Sequence, residues 1–154
     1  MCSSDLSGTI LALIIAAISG ITMAIQGSVN SVLGKIIGLW EANLVVHIIG
    51  TITVGFILFV LKLGDGNLLE LSKAPWFTFI GGILSALIIY GVATSIPKLG
   101  VAIATTSIIV GQVLAASIID HLGLFGLKKI PFNWYQLLGL IFLAIGAKLL
   151  LNNN

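Results

Sequence analysis

Residues 7–33 read SGTILALIIAAISGITMAIQGSVNSVL and hold no charged side chain. A helix needs about 20 predominantly apolar residues to cross the hydrocarbon core of a bilayer, and this run exceeds that. The flank Met1-Cys2-Ser3-Ser4-Asp5 lacks Lys and Arg, and a signal-peptide core spans only about 7–15 residues. The run therefore reads as a retained first span. Four more runs qualify, at 39–61, 75–96, 101–119 and 132–151. The whole chain is 58% hydrophobic and 8% charged, with mean hydropathy +1.21. A soluble domain carries about 25% charged residues, so the exterior of this chain must face lipid. The expectation is an all-α membrane protein of five transmembrane helices, forming one transmembrane domain over residues 1–154.

Punctuation supports each gap. Lys35 and Gly38 close the first span, and Gly64-Asp65-Gly66-Asn67 is a turn signal after the second. Pro97-Lys98-Leu99-Gly100 reads as a tight corner, with Pro just past one helix and Gly just before the next. Trp40, Trp76 and the pair Trp134-Tyr135 all fall at span starts, where an aromatic belt meets the membrane interface. Leu68, Leu69 and Leu71 beside Glu70 and Lys73 suggest a segment lying in the headgroups, as do Leu122, Leu124, Phe125 and Leu127. The single cysteine, Cys2, reads as an incidental thiol.

Five spans put the termini on opposite sides. Lys62, Lys73, Lys128 and Lys129 fall on the N-terminal side, and Lys35, Lys98 and Lys148 on the other. An excess of Lys and Arg marks the cytoplasmic side, and here the excess is one. The favoured reading is insertion both ways round with assembly as an antiparallel dimer. The alternative is a single orientation set by that small margin or by a partner. No run of like charge suggests nucleic acid.

Small residues recur every four positions at Gly8, Ala12, Ala16, Gly20 and Ala24, and again at Ser107, Gly111 and Ala115. Such seams let helix backbones approach closely within a membrane. Polar residues also gather by face. Ser19, Thr22, Gln26 and Asn30 share one face of the first span; Asn43, His47 and Thr51 line up in the second; Thr105, Gln112 and Asp120 share a face of the fourth. An unpaired amide in hydrocarbon costs several kcal/mol. These residues therefore either hydrogen-bond helix to helix or line a polar cavity. The cavity is favoured, because interhelical bonds in membranes average only about 0.6 kcal/mol.

The path residues expected on this reading are Gln26, Asn30, His47, Gln112 and Asp120, with Thr22, Thr51 and Thr105 as secondary contacts. Histidine changes charge nearest neutrality, and intramembrane ionisable residues mark solute or ion paths, so His47 and Asp120 are the candidate protonation sites. There is no HxxxH or CxxC metal spacing, no GxSxG and no phosphate-binding glycine loop. The sequence thus gives no reason to expect an enzyme, a metal or a cofactor.

Several stretches carry a family resemblance. They are Gln26-Gly27-Ser28-Val29-Asn30 with Leu33-Gly34, then Gly50-Thr51, then Gly81-Gly82-Ile83-Leu84-Ser85-Ala86 and Ile96-Pro97-Lys98-Leu99-Gly100-Val101-Ala102. Gly111-Gln112 and Ile119-Asp120-His121-Leu122-Gly123-Leu124-Phe125-Gly126 complete the set. Together they resemble the YdcZ-type, EamA-like family of the drug/metabolite transporter superfamily. The resemblance implies half of a ten-helix inverted-repeat carrier in a bacterial plasma membrane. Its partners would be the lipid bilayer, a small-molecule solute, and a second chain, as a homodimer or a paralogous heterodimer. Related small multidrug exporters hold an acidic residue in the first span, and this chain has none there. An uncharged or weakly charged polar or drug-like solute fits better than a cation. The competing expectation is a non-transporting membrane subunit whose polar faces serve only assembly.

Overall fold

The computed structural model describes residues 3–151, with side chains from residue 7 onward; Cys2 lies outside the described residues. Helices make up most of the described residues, and no strand occurs among them. Five segments are long and apolar enough to cross a membrane: Ser7–Ile37, Leu39–Val60, Trp76–Leu99, Val101–Leu122 and Trp134–Leu151. The chain is an all-α membrane protein. Its contacts gather into two compact units, Met1–Pro97 and Lys98–Asn154.

In the first unit, α1 (Ser3–Ile37) is 35 residues long, about 52 Å at 1.5 Å per residue. That is well beyond a hydrocarbon core of about 30 Å. The helix passes through Lys35, where the sequence suggested a break. Lysine is a good helix former, and its charge suits a helix C-terminus. The stop comes at Gly38, whose φ of 101° admits glycine at little cost.

The second span begins as α2 (Leu39–Gly55) and ends as a π-helical turn, Phe56–Val60. There the Leu61 N–H donates to the Phe56 carbonyl at 3.1 Å. A short 3-10 helix, Leu68–Lys73, follows. Asn67 caps it by accepting the Leu69 N–H at 3.0 Å, and Lys73 pairs with Glu70. Its Leu69 is 85% exposed. The third span opens with the 3-10 turn Trp76–Phe79 and continues as α3 (Ile80–Leu99). Pro97 sits inside the last turn of α3 rather than beyond it; the helix ends instead before Gly100, whose φ is 81°.

The core of this unit is small and lies toward the α1–α2 turn. Ala42, Ala93 and Ile96 are buried, together with the polar Asn30, Ser31 and Asn43. Gly27 sets the approach of α1 to α3. A Cβ there would stand 2.7 Å from Val92 Cγ1 and 3.2 Å from Ile96 Cδ1. Trp40 stacks on Tyr90 with centroids 4.5 Å apart and planes at 22°, tying the start of α2 to α3. Away from this end the apolar side chains are exposed, among them Leu13, Ile21 and Ile52. An apolar exterior around a few small and polar buried residues inverts the pattern of a soluble domain.

In the second unit, α4 (Val101–Leu122) runs from Gly100 to a left-handed cap at Gly123, a common helix stop. It packs on α5 (Trp134–Leu151). Asn133 and Gln136 form a reciprocal cap: Gln136 N–H donates to Asn133 Oδ1 at 2.9 Å, and Asn133 N–H to Gln136 Oε1 at 3.1 Å. This capping box fixes the start of the last span. His121 Nδ1 accepts the Phe132 N–H at 3.2 Å, and the Asp120 carbonyl accepts from Ile130 at 2.8 Å, holding the connecting loop to α4.

Candidate functional site

Within the first unit, a cavity of about 550 Å³ lies along α2. Its polar side chains are Gln26 from α1, His47 and Thr51 from α2, and Ser85 from α3. Gly50 and Gly55 keep its floor low. Val46, Val54, Leu58, Phe59 and Leu68 make the rest of its wall apolar.

The hydrogen bonds at the polar end fix its chemistry. His47 Nδ1 stands 2.9 Å from the Asn43 carbonyl oxygen, which can only accept, so Nδ1 carries the proton of the neutral ring. His47 Nε2 is then an acceptor, and Ser85 Oγ donates to it at 3.2 Å. Thr51 Oγ1 donates to the His47 carbonyl at 2.8 Å. One turn back from His47, Asn43 Nδ2 donates to the Ala86 carbonyl at 2.7 Å. Asn43 Oδ1 is buried and has no partner among the described residues.

The sequence-derived path residues fall into distinct places. Gln26, His47 and Thr51 share the cavity. Asn30 is buried beside the α1–α2 turn and does not line it. Thr22 is exposed and donates to the Ile18 carbonyl of its own helix at 2.9 Å. In the second unit, Thr105 and Asp120 are half-buried and Gln112 is exposed. Neither Thr105, Gln112 nor Asp120 lines a described cavity.

The seam residues Gly8, Ala12, Ala16 and Gly20 are exposed and Ala24 is half-buried; nothing lies within 4 Å of a Cβ built at Gly8 or Gly20. Ser107, Gly111 and Ala115 are likewise exposed.

Ser85 escapes sequence reasoning. It sits in the run 81–86, which reads as small-residue packing, and the nearest hydroxyl at helical spacing, Thr78 seven residues back, lies at the very start of the span. The one available signal is its depth in a span, shared with Asn43 and His47 on the neighbouring helix.

Five apolar spans with polar side chains gathered between three of them define an integral membrane protein. The family described as "Putative inner membrane exporter, YdcZ" (DMT_YdcZ) matches residues 11–149. The chain belongs to this family of the drug/metabolite transporter superfamily, and it is an integral protein of the bacterial inner membrane. No curated protein and no solved structure matches it.

Proposed function

We propose that the chain is a small-solute transporter that works as an antiparallel dimer by alternating access. The observation that carries this reading is the convergence of Gln26, His47, Thr51 and Ser85 on one cavity within the spans. Polar side chains are costly in hydrocarbon, and a cavity holding four of them can exchange hydrogen bonds with a solute.

Two features support a second chain. Gln112 lies near the middle of α4 and is exposed, so in a bilayer its amide needs a partner that other described residues do not provide. The small-residue faces of α1 and α4 are also open, and close helix approach uses such faces. Two five-helix chains inserted oppositely make a ten-helix carrier with inverted symmetry, in which rocking exposes one midplane site to either side. The path then comprises Gln26, His47, Thr51 and Ser85, with Gln112, Asn30, Asp120, Thr22 and Thr105 at or near the border supplied by assembly. Among these path residues, His47 and Asp120 are the two with ionisable side chains.

Reconstitution tests this. Purified protein in liposomes should dissipate a gradient of one solute class from a panel, and His47→Leu or Gln112→Leu should stop that flux while the dimer persists. Folding lost in both variants, with no flux of any solute through the wild type, contradicts the proposal and leaves an assembly subunit.

A further inference from the structure

We propose that the α2 cavity takes an uncharged amphiphile, an apolar body bearing one hydroxyl, phenol or amide N–H that donates into the His47–Ser85 end. The inference rests on the carrier reading of the same cavity and specifies what is carried.

The proton inventory sets the polarity of the head. The Nδ1 proton of His47 is held by the Asn43 carbonyl. The hydroxyl proton of Ser85 is held by His47 Nε2, and that of Thr51 by the His47 carbonyl. Each of these three groups has its proton committed inside the protein. What the two hydroxyls present to a solute is lone pairs, at Ser85 Oγ and Thr51 Oγ1. Gln26 alone adds N–H donors, beside a further acceptor oxygen. Two hydroxyl oxygens, Ser85 Oγ and Thr51 Oγ1, whose protons are already used select a donor.

Charge and wall select the rest. No Asp, Glu, Lys or Arg lines the cavity. A fixed cation seated there would lack a counter-charge in a low-dielectric site, which disfavours it strongly. A polyol or zwitterion would leave most of its polar groups against Val46, Val54, Leu58 and Phe59, with no hydrogen-bond partner. From His47 to Gly55 the helix rises about 12 Å, along which the wall is mostly apolar. The volume of about 550 Å³ lies within the range of about 300–1,000 Å³ usual for small-molecule sites. One polar end and a long apolar flank fit a molecule of matching asymmetry.

The test uses the full chain in detergent and four probes: 4-octylphenol, its methyl ether 4-octylanisole, tetraphenylphosphonium and sorbitol. A ligand that binds only the folded state raises the melting temperature. The phenol should do so at a concentration about tenfold lower than the ether, which has the same body without the donor. In His47→Phe the gap between them should shrink below about threefold. Thr51 is exposed, so Thr51→Val should show the same narrowing and decides the matter if His47→Phe does not fold.

Equal responses to phenol and ether overturn the proposal. So does stabilisation by none of the four, or by tetraphenylphosphonium or sorbitol at lower concentration than the phenol. Proteoliposomes separate this from the carrier reading. A phenol bound selectively but never moved leaves the site chemistry standing and removes the carrier. Movement of the cation with no phenol selectivity does the reverse.

Discussion

Asn43 on α2 donates from Nδ2 to the carbonyl of Ala86 on α3 at 2.7 Å, while its own Oδ1 is buried with no partner among the described residues. The two ends of one amide are unequally served. Asn43→Leu removes the bond and the orphaned oxygen together, so its cost should stay within about 1 kcal/mol. Asn43→Asp keeps a buried acceptor and loses the donor, and should cost about 1–3 kcal/mol. Melting of the two purified variants checks the order. A leucine variant as unstable as the aspartate variant would contradict it.

Two glycines of α1 should respond in opposite ways to the same added methyl. At Gly27 a Cβ meets the stiff, branched Val92 at 2.7 Å, whereas at Gly20 it meets nothing within 4 Å. Gly27→Ala should lose about 1–3 kcal/mol of stability through overpacking. Gly20→Ala should raise protomer stability by up to about 1 kcal/mol, because alanine is the better helix former and its methyl meets no obstacle. Gly20→Leu, by contrast, should lower the cross-linked dimer fraction, because the proposed seam between chains then cannot close.

The stacked pair Trp40 and Tyr90, 4.5 Å between centroids, links the two helices that carry His47 and Ser85. A double-mutant cycle with Trp40→Ala and Tyr90→Ala should give a coupling of about 0.5–1.5 kcal/mol in reversible detergent unfolding. Coupling indistinguishable from zero would mean that the stack does not hold this end of the site.

The lysine balance makes orientation adjustable. Two added lysines at the N-terminus should lock one orientation, and two at the C-terminus the other. Each locked chain alone should fail to form cross-linked dimers, and co-expression of the two should restore them. Dimers formed as efficiently by one locked chain alone would contradict the antiparallel assembly.

Much of this architecture is legible in the sequence, because lipid as solvent makes long uncharged runs informative. Gly38 and Gly100 close helices as their positions suggested, since their positive φ angles suit glycine. The overrun of α1 through Lys35 and of α3 through Pro97 was not legible. A single lysine or a last-turn proline does not force a helix to stop. The π-turn at Phe56–Val60 was equally hidden, as its five apolar residues carry no local breaker.

At the site, the face shared by His47 and Thr51 follows from helical spacing, and Gln26 joins it from α1. Ser85 does not follow, because pairing across helices depends on which faces meet and on how deep each helix sits. Periodicity within one span carries neither. The same gap explains Asn30, which lies on the expected face of α1 but is buried near the turn rather than in the cavity.

The central claim is that the α2 cavity belongs to a solute path and not to a lipid-facing surface. Thr51→Cys, Ser85→Cys and Ile52→Cys, each in a Cys2→Ser background, put one thiol at similar depth in a span. Ile52 is 65% exposed and lines no described cavity. A membrane-impermeant maleimide added to sealed vesicles should label Thr51→Cys and Ser85→Cys through water in the path and leave Ile52→Cys unmodified. Labelling of Ile52→Cys as fast as the other two, or of none of the three, would contradict it.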